Sequence, residues 1–254
     1  MITLRKVTKS LAVLVSSTSL LAGCAILPDV TALPPLQPSE VRALRIGPTI
    51  DELPEVPLIA GGSVVGFGDA ERRTVRVRNI RCVGLGTGTG FAIDAHTIIT
   101  NRHVVSGLRE LELTTHDGRD IGVESVVIAA QADLAIVTTT DALETTAQLR
   151  DEDPVFGELV RIVGFPEGGR MTVSTGTVRA FTIDPENAEF GRVVVTDAQV
   201  LPGNSGSALL DADGAIIGVV YAKTDDGWSM AIPVTTLRTL MQTEGAFTEL
   251  STCE

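Results

Sequence analysis

Aromatic residues are scarce in this chain of 254: one Trp, one Tyr and seven Phe make up 4% of it. Val, Ile, Thr and Gly are plentiful instead, which favours many short strands over long helices. Histidine is limited to His96, His103 and His116, with no pair at metal-ligand spacing, so no metal is expected. Cysteine occurs only at Cys24, Cys82 and Cys253, without a paired C-x-x-C motif. No phosphate loop ending in Gly-Lys-Ser/Thr is present. The glycine-rich VGLGTGTGF misses the dinucleotide fingerprint because Thr89 and Phe91 fall where its third Gly belongs, so no cofactor is expected. Basic residues are outnumbered, 20 against 32 acidic, for a net charge of −12. Such a surface repels phosphate backbones, and nucleic acid is not an expected partner. With 44% hydrophobic and 20% charged residues, the chain has enough apolar material for the core of one or two folded domains.

No apolar run is long enough to span a bilayer stably. The candidate, Leu11 to Leu21, is short and serine-rich, and behind Arg5, Lys6 and Lys9 it reads as an export signal. Its end, Leu21-Ala22-Gly23-Cys24, resembles a bacterial lipobox. That resemblance implies cleavage before Cys24 and lipid on the new terminal cysteine, which anchors the protein to the outer side of a membrane. An uncleaved anchor or a secreted form is the alternative. Loss of the three basic residues takes the net charge from −12 to −15, and no polybasic stretch follows Cys24 to grip anionic lipid. With Cys24 lipidated, Cys82 and Cys253 are left in an oxidising compartment, where they form one bridge or stay as two buried thiols.

The leader therefore covers residues 1–23. Residues 24–60 are proline-rich and read as a semi-rigid spacer or an extended arm, with a possible short helix at Ser39 to Leu44. Beyond Gly61 the texture changes to short runs divided by Gly, Asp and Asn. Six strands fit residues 61–150: Thr74 to Arg81, Gly88 to Ile93, Thr97 to Thr100, Glu110 to Thr115, Ile121 to Ala129 and Leu134 to Thr139. Six more fit residues 151–254: Leu159 to Phe165, Arg170 to Ile183, Arg192 to Thr196, Ser207 to Leu210, Ala215 to Ala222 and Ser229 to Ile232. The expected fold is all-β, two six-stranded antiparallel barrels with a cleft between them. A short C-terminal helix, Val234 to Thr243, spaces Leu237, Leu240 and Met241 for one buried face.

The stretch VLPGNSGSALL holds Ser205 in a tight turn. A serine hydroxyl needs a base, and the base needs a third group to fix its tautomer. All three histidines precede Ser205, and Ser207 replaces the second glycine of a nucleophile elbow, which excludes hydrolases built on that elbow. His103, in TIITNRHVV, follows a strand at a point that aims a side chain at a cleft, whereas His96 and His116 lie in polar turns. Asp133, in QADLAIV, stands ahead of a buried strand, where its carboxylate needs a partner.

The order His103, Asp133, Ser205, together with GTGF, TNRHVV, ADLAIV, VGFPEGG, TDAQVLPGNSGSAL and GWSMAIPV, resembles the trypsin-like serine proteases of the HtrA type. Cys82 ahead of the glycine-rich strand, Cys253 in the tail and the proline-rich lead-in are similar to the MarP-like membrane-anchored proteases of actinobacteria. In those proteases a disulfide joins the corresponding positions. The lipobox departs from that group, which has several transmembrane helices. The resemblance implies Ser205 as nucleophile, His103 as general base and then acid, Asp133 as its orienter, and an oxyanion hole made of the Gly203 and Ser205 N–H groups. Asn204 replaces the aspartate with which the digestive branch captures a newly cut N-terminus, so activation by that route is not expected.

Gln199 stands where proteases cutting after Arg or Lys carry an aspartate. With Tyr221, Ala222 and Lys223 as a wall and Ser229 near the base, the pocket suits small or medium apolar side chains of a peptide or protein substrate, and Lys223 leaves an acidic preference open. The leading reading is a lipid-anchored extracytoplasmic serine endopeptidase. The alternative is a protease fold kept as a binding or chaperone-like module with an inactive oxyanion loop. Oligomeric state is not legible.

Overall fold

The computed structural model describes residues 68–143, 147–184, 191–224 and 227–253. The chain divides into a unit Met1–Ala60 and a unit Gly61–Glu254, and every described residue belongs to the second. The leader, Cys24 and the spacer lie outside the described residues.

A helical turn, α1 (Asp69–Arg72), leads into β1 (Thr74–Arg81), β2 (Leu85–Ala92) and β3 (Thr97–Thr100). Helical turn α2 (Arg102–Val105) precedes β4 (Leu108–Thr114), β5 (Asp120–Ile121), β6 (Val123–Ala129) and β7 (Ala135–Thr139). The second half holds β8 (Leu159–Gly164), β9 (Thr172–Ile183), β10 (Arg192–Gln199), β11 (Ala208–Leu210), β12 (Ile216–Lys223) and β13 (Trp228–Pro233). Helix α3 (Val234–Gln242) and β14 (Phe247–Glu249) follow. All twelve expected strand positions carry strands, and the fold is the chymotrypsin-like one, mostly β.

Strands β8 to β13 close an antiparallel barrel in the order β10-β13-β12-β11-β8-β9. Six consecutive residues of β12, Ile216 to Tyr221, are buried, because its two faces serve two cores. Ile217 and Val220 pack inside the barrel with Ile162, Val194 and Leu209. Ile216 and Val219 join a cluster that also holds Phe91, Ile99 and Leu134 from the first half. That shared apolar seam locks the two halves together, since each such side chain contributes about 2 kcal/mol on burial.

The first half departs from the expected six-stranded barrel. It is an eight-stranded sheet, β14-β6-β7-β3-β2-β1-β4-β5. One extra strand arises at Gly122, which breaks the predicted Ile121 to Ala129 run into β5 and β6 by turning its N–H to Asp141 Oδ2 at 2.8 Å. The other comes from the tail: Phe247 pairs with Ala129 and Glu249 with Val127. Leu250 N–H then donates to Val126 O at 2.9 Å, and Cys253 N–H to Leu108 O at 2.8 Å, so the tail joins the two ends of the sheet. A Cys82–Cys253 disulfide spanning 171 residues seals this contact. Helix α3 buries Val234, Leu237 and Leu240, while Met241, expected on that face, is turned to solvent.

Candidate active site

His103 sits on α2, directly after β3. The turn is held from beneath by β1: buried Asn79 Nδ2 donates to Val104 O at 2.8 Å and Ser106 O at 3.0 Å, and Arg81 Nη2 donates to His103 O at 3.1 Å. Asp133, immediately before the buried Leu134, is itself only 5% exposed. Its Oδ1 accepts the His103 backbone N–H at 2.9 Å and its Oδ2 faces His103 Nδ1 at 2.5 Å. Asn101 Nδ2 fixes the Asp133 backbone through its carbonyl at 2.8 Å. An ionised carboxylate can only accept, so Nδ1 carries the proton and Nε2 is left as the basic nitrogen. The imidazole is half exposed, open toward the cleft, while its carboxylate is shielded.

Ser205 lies in the loop between β10 and β11. Its Oγ donates to Tyr221 O at 3.4 Å, and among the described residues no hydrogen bond joins it to His103. Such bonds commonly tighten only when substrate docks.

The loop before Ser205 has a defined shape. A peptide plane points its C=O and N–H in opposite directions, so anchoring the carbonyl aims the amide. Pro202 O accepts Glu167 N–H at 2.6 Å, which turns the Gly203 N–H away from Glu167. Gly203 O accepts the Thr89 hydroxyl at 2.8 Å, and Asn204 O accepts Ser207 N–H at 3.0 Å, turning the Ser205 N–H away from Ser207. Neither Gly203 N–H nor Ser205 N–H has an acceptor among the described residues. Gly203 has φ +97°, a left-handed value that favours glycine, and a Cβ there would lie 2.5 Å from Glu167 N and Phe165 O. Glu167 itself, in the Pro166–Gly168 turn, is a non-glycine residue at φ +56°. Two free amides beside a hydroxyl and a basic imidazole can bind an oxyanion and transfer a proton. Among the described residues, no cluster of His, Cys, Asp and Glu could hold a metal ion.

Residues 88–219, just over half of the chain, match the trypsin-like peptidase domain. The chain belongs to this family. Trypsin-like relatives include a probable periplasmic serine endoprotease DegP-like from Halomonas elongata, 32% identical over 58% of this chain and 32% of that protein. A DegP-like protein from Hahella chejuensis is 28% identical over 85% of this chain and 48% of its own length. The chain thus spans about a third to a half of these curated relatives. Among solved structures, the active form of the Rv3671c (MarP) protease from M. tuberculosis aligns with a TM-score of 0.64 and 25% identity, covering 72% of this chain and 85% of that one. The protein is an HtrA-type member of the trypsin-like family, related to MarP.

Beside Ser205 in this trypsin-like site lies a pocket of about 240 Å³, lined by Val200, Leu201, Val220, Ala222 and Lys223 among others. Two residues expected there, Ala222 and Lys223, do line it. Gln199, Tyr221 and Ser229 do not. Tyr221 contributes only its carbonyl to Ser205, because its hydroxyl turns to buried Asp184 at 2.8 Å. Ser229 is buried against Thr196, with 2.6 Å between the hydroxyls. Gln199 is exposed, with Oε1 2.8 Å from where a Cβ on Gly227 would sit. The sequence assigned no role to Asn79, Thr89 or Glu167; Thr89 and Glu167 lie within the GTGF and VGFPEGG stretches, but the hydrogen bonds through which they act are set by the fold.

Proposed function

We propose that this chain is a serine endopeptidase working outside the cytoplasm, held on a membrane by lipid on Cys24. The observation that carries the reading is the pairing of Nδ1 of His103 with the shielded Asp133 carboxylate, next to two unoccupied amides at Gly203 and Ser205. In the proposed reaction Ser205 Oγ bonds to the scissile carbonyl carbon while its proton passes to His103 Nε2. The carbonyl oxygen takes up negative charge and accepts the Gly203 and Ser205 N–H groups. Collapse of this intermediate breaks the C–N bond, and the leaving amine receives the proton from His103. Water then repeats the sequence on the ester, with His103 again as base, and releases the acid. The apolar walls of the pocket favour small or medium apolar side chains before the cleaved bond, with Lys223 at the mouth accommodating an acidic one.

Support for the location comes from the export-type leader and from relatives named as periplasmic. A fluorophosphonate probe labels the wild type and spares Ser205→Ala; equal labelling of both refutes the assignment. Cys24→Ala releases the protein from membranes; unchanged retention refutes lipidation. The bond from Ser205 to Tyr221 O favours a second reading, in which the protein binds peptides without turnover. Peptide capture by wild type and Ser205→Ala alike, with no cleavage by either, would establish it.

A further inference from the structure

Thr89 lies on β2, across the seam from the serine loop, and is completely buried. Its backbone N–H donates to Ser205 O at 2.8 Å, and its backbone carbonyl accepts the Thr100 hydroxyl at 2.7 Å. Its own hydroxyl accepts the Phe165 N–H at 2.9 Å and donates to Gly203 O at 2.8 Å. A hydroxyl has one proton, and with Phe165 occupying a lone pair that proton is committed to Gly203. The serine loop comes close to this strand: a Cβ on the neighbouring Gly88 would lie 3.1 Å from Ser205 O.

We propose that the Thr89 hydroxyl is a positioning residue for the oxyanion hole: by fixing the Gly203 carbonyl it holds the Gly203–Asn204 peptide that links the two donor peptides, Pro202–Gly203 and Asn204–Ser205, so that the Gly203 and Ser205 N–H groups stay turned toward the developing negative charge. The proposal rests on the peptidase reading above. Pro202, Gly203 and Asn204 each have an anchored carbonyl, and only the middle anchor is a side chain, reached from the other half of the fold. Without it, Gly203 O and Phe165 N–H are both buried and unpartnered, a state that proteins avoid. The least hindered escape is rotation about Gly203, which has no side chain to oppose it. Turning the linking peptide carries a neighbouring donor plane with it, which withdraws an oxyanion donor, while the Val200, Val220, Ala222 and Lys223 walls of the pocket stay in place. The effect therefore falls on the transition state and spares ground-state binding.

Peptide hydrolysis by wild type, Thr89→Val, Thr89→Ser and Thr89→Ala tests this. Losing one oxyanion donor lowers kcat about 100-fold or more, so Thr89→Val and Thr89→Ala fall by about that factor with KM little changed, and Thr89→Ser recovers most of the loss. Affinity for a peptide boronate falls in parallel, while affinity for a cleaved product peptide holds. Should Thr89→Val fail to fold, Ser against Ala isolates the hydroxyl at equal loss of the methyl. Equal kcat for Ser and Ala, or a loss confined to KM, overturns the proposal. If wild type neither hydrolyses peptide nor takes the fluorophosphonate label, the peptidase reading itself has failed, and the proposal falls with it.

Discussion

Replacing Cys253 by Ser removes the covalent tie between the tail and the residue after β1. The bridge closes a loop spanning 171 residues. In the chain-entropy account, a loop of that length restricts the unfolded ensemble by about 5 kcal/mol at 25 °C. The native tail keeps its other holds in the variant: the pairing of β14 with β6, Leu250 N–H on Val126 O and Cys253 N–H on Leu108 O, the last a backbone bond that Ser retains. The loss is therefore expected mainly in the unfolded state, at about 3–5 kcal/mol. With a urea slope of about 2–3 kcal/mol/M for a small protein, the midpoint falls by about 1–2.5 M. Urea titration followed by far-ultraviolet circular dichroism measures this for the variant and for wild type with reductant. A midpoint unchanged in both refutes the loop-closure reasoning and assigns the tail's stability to strand pairing alone. Activity below the transition persists, since the turn carrying His103 keeps its Asn79 and Arg81 bonds.

Three further outcomes are expected. Asp133→Asn offers an amide N–H to Nδ1, which moves the ring proton to Nε2 and blocks proton uptake from Ser205; kcat falls about 10,000-fold, and a loss under tenfold in steady-state assays contradicts the pairing. Gly203→Ala drives a methyl into Glu167 N and Phe165 O at a φ hostile to alanine, so hydrolysis falls at least about 100-fold while circular dichroism stays native; full activity refutes the loop geometry. The third concerns acid. Asp117 is lowered from 3.8 to about 2 by the Thr115 hydroxyl and by Arg119, Asp141 is lowered by the Gly122 N–H, and Asp197 by the Thr177 N–H and Arg179. Carboxyls depressed in the fold stabilise it above their unfolded value and lose that contribution as pH falls through the folded one. Thermal midpoints therefore decline as pH drops from 3.8 toward about 2, and a rise over that interval contradicts the assignment.

The strands were legible because alternation and apolar runs report burial directly. His103, Asp133 and Ser205 were legible because each lies in a short motif next to a strand end. Strand β14 was not: Phe247–Glu249 is three residues long, with one half-buried side chain and two exposed, and its pairing with β6 joins distant parts of the chain. The Tyr221 side chain does not line the pocket: it packs in the shared apolar cluster with its hydroxyl on Asp184, which leaves that wall to Val220 and Ala222. A register shift between Val220 and Ala222 further re-aims that edge. Thr89 was hidden because a polar residue between two glycines carries no sign of what its hydroxyl meets across the seam.

The tail strand has a consequence for the order in which this protein is made. The sheet that carries His103 and Asp133 receives its last strand from Phe247–Glu249 and its seal from Cys253. A chain synthesised from its N-terminus leaves β6 with a bare edge until Phe247–Glu249 has been made, and Cys82 without its partner until Cys253 follows. The His103 turn and Asp133 have their Asn79, Arg81 and Asn101 bonds within reach before then, so the tail adds the outer edge of the sheet and not those bonds. The sheet that is begun first is thus the one closed last.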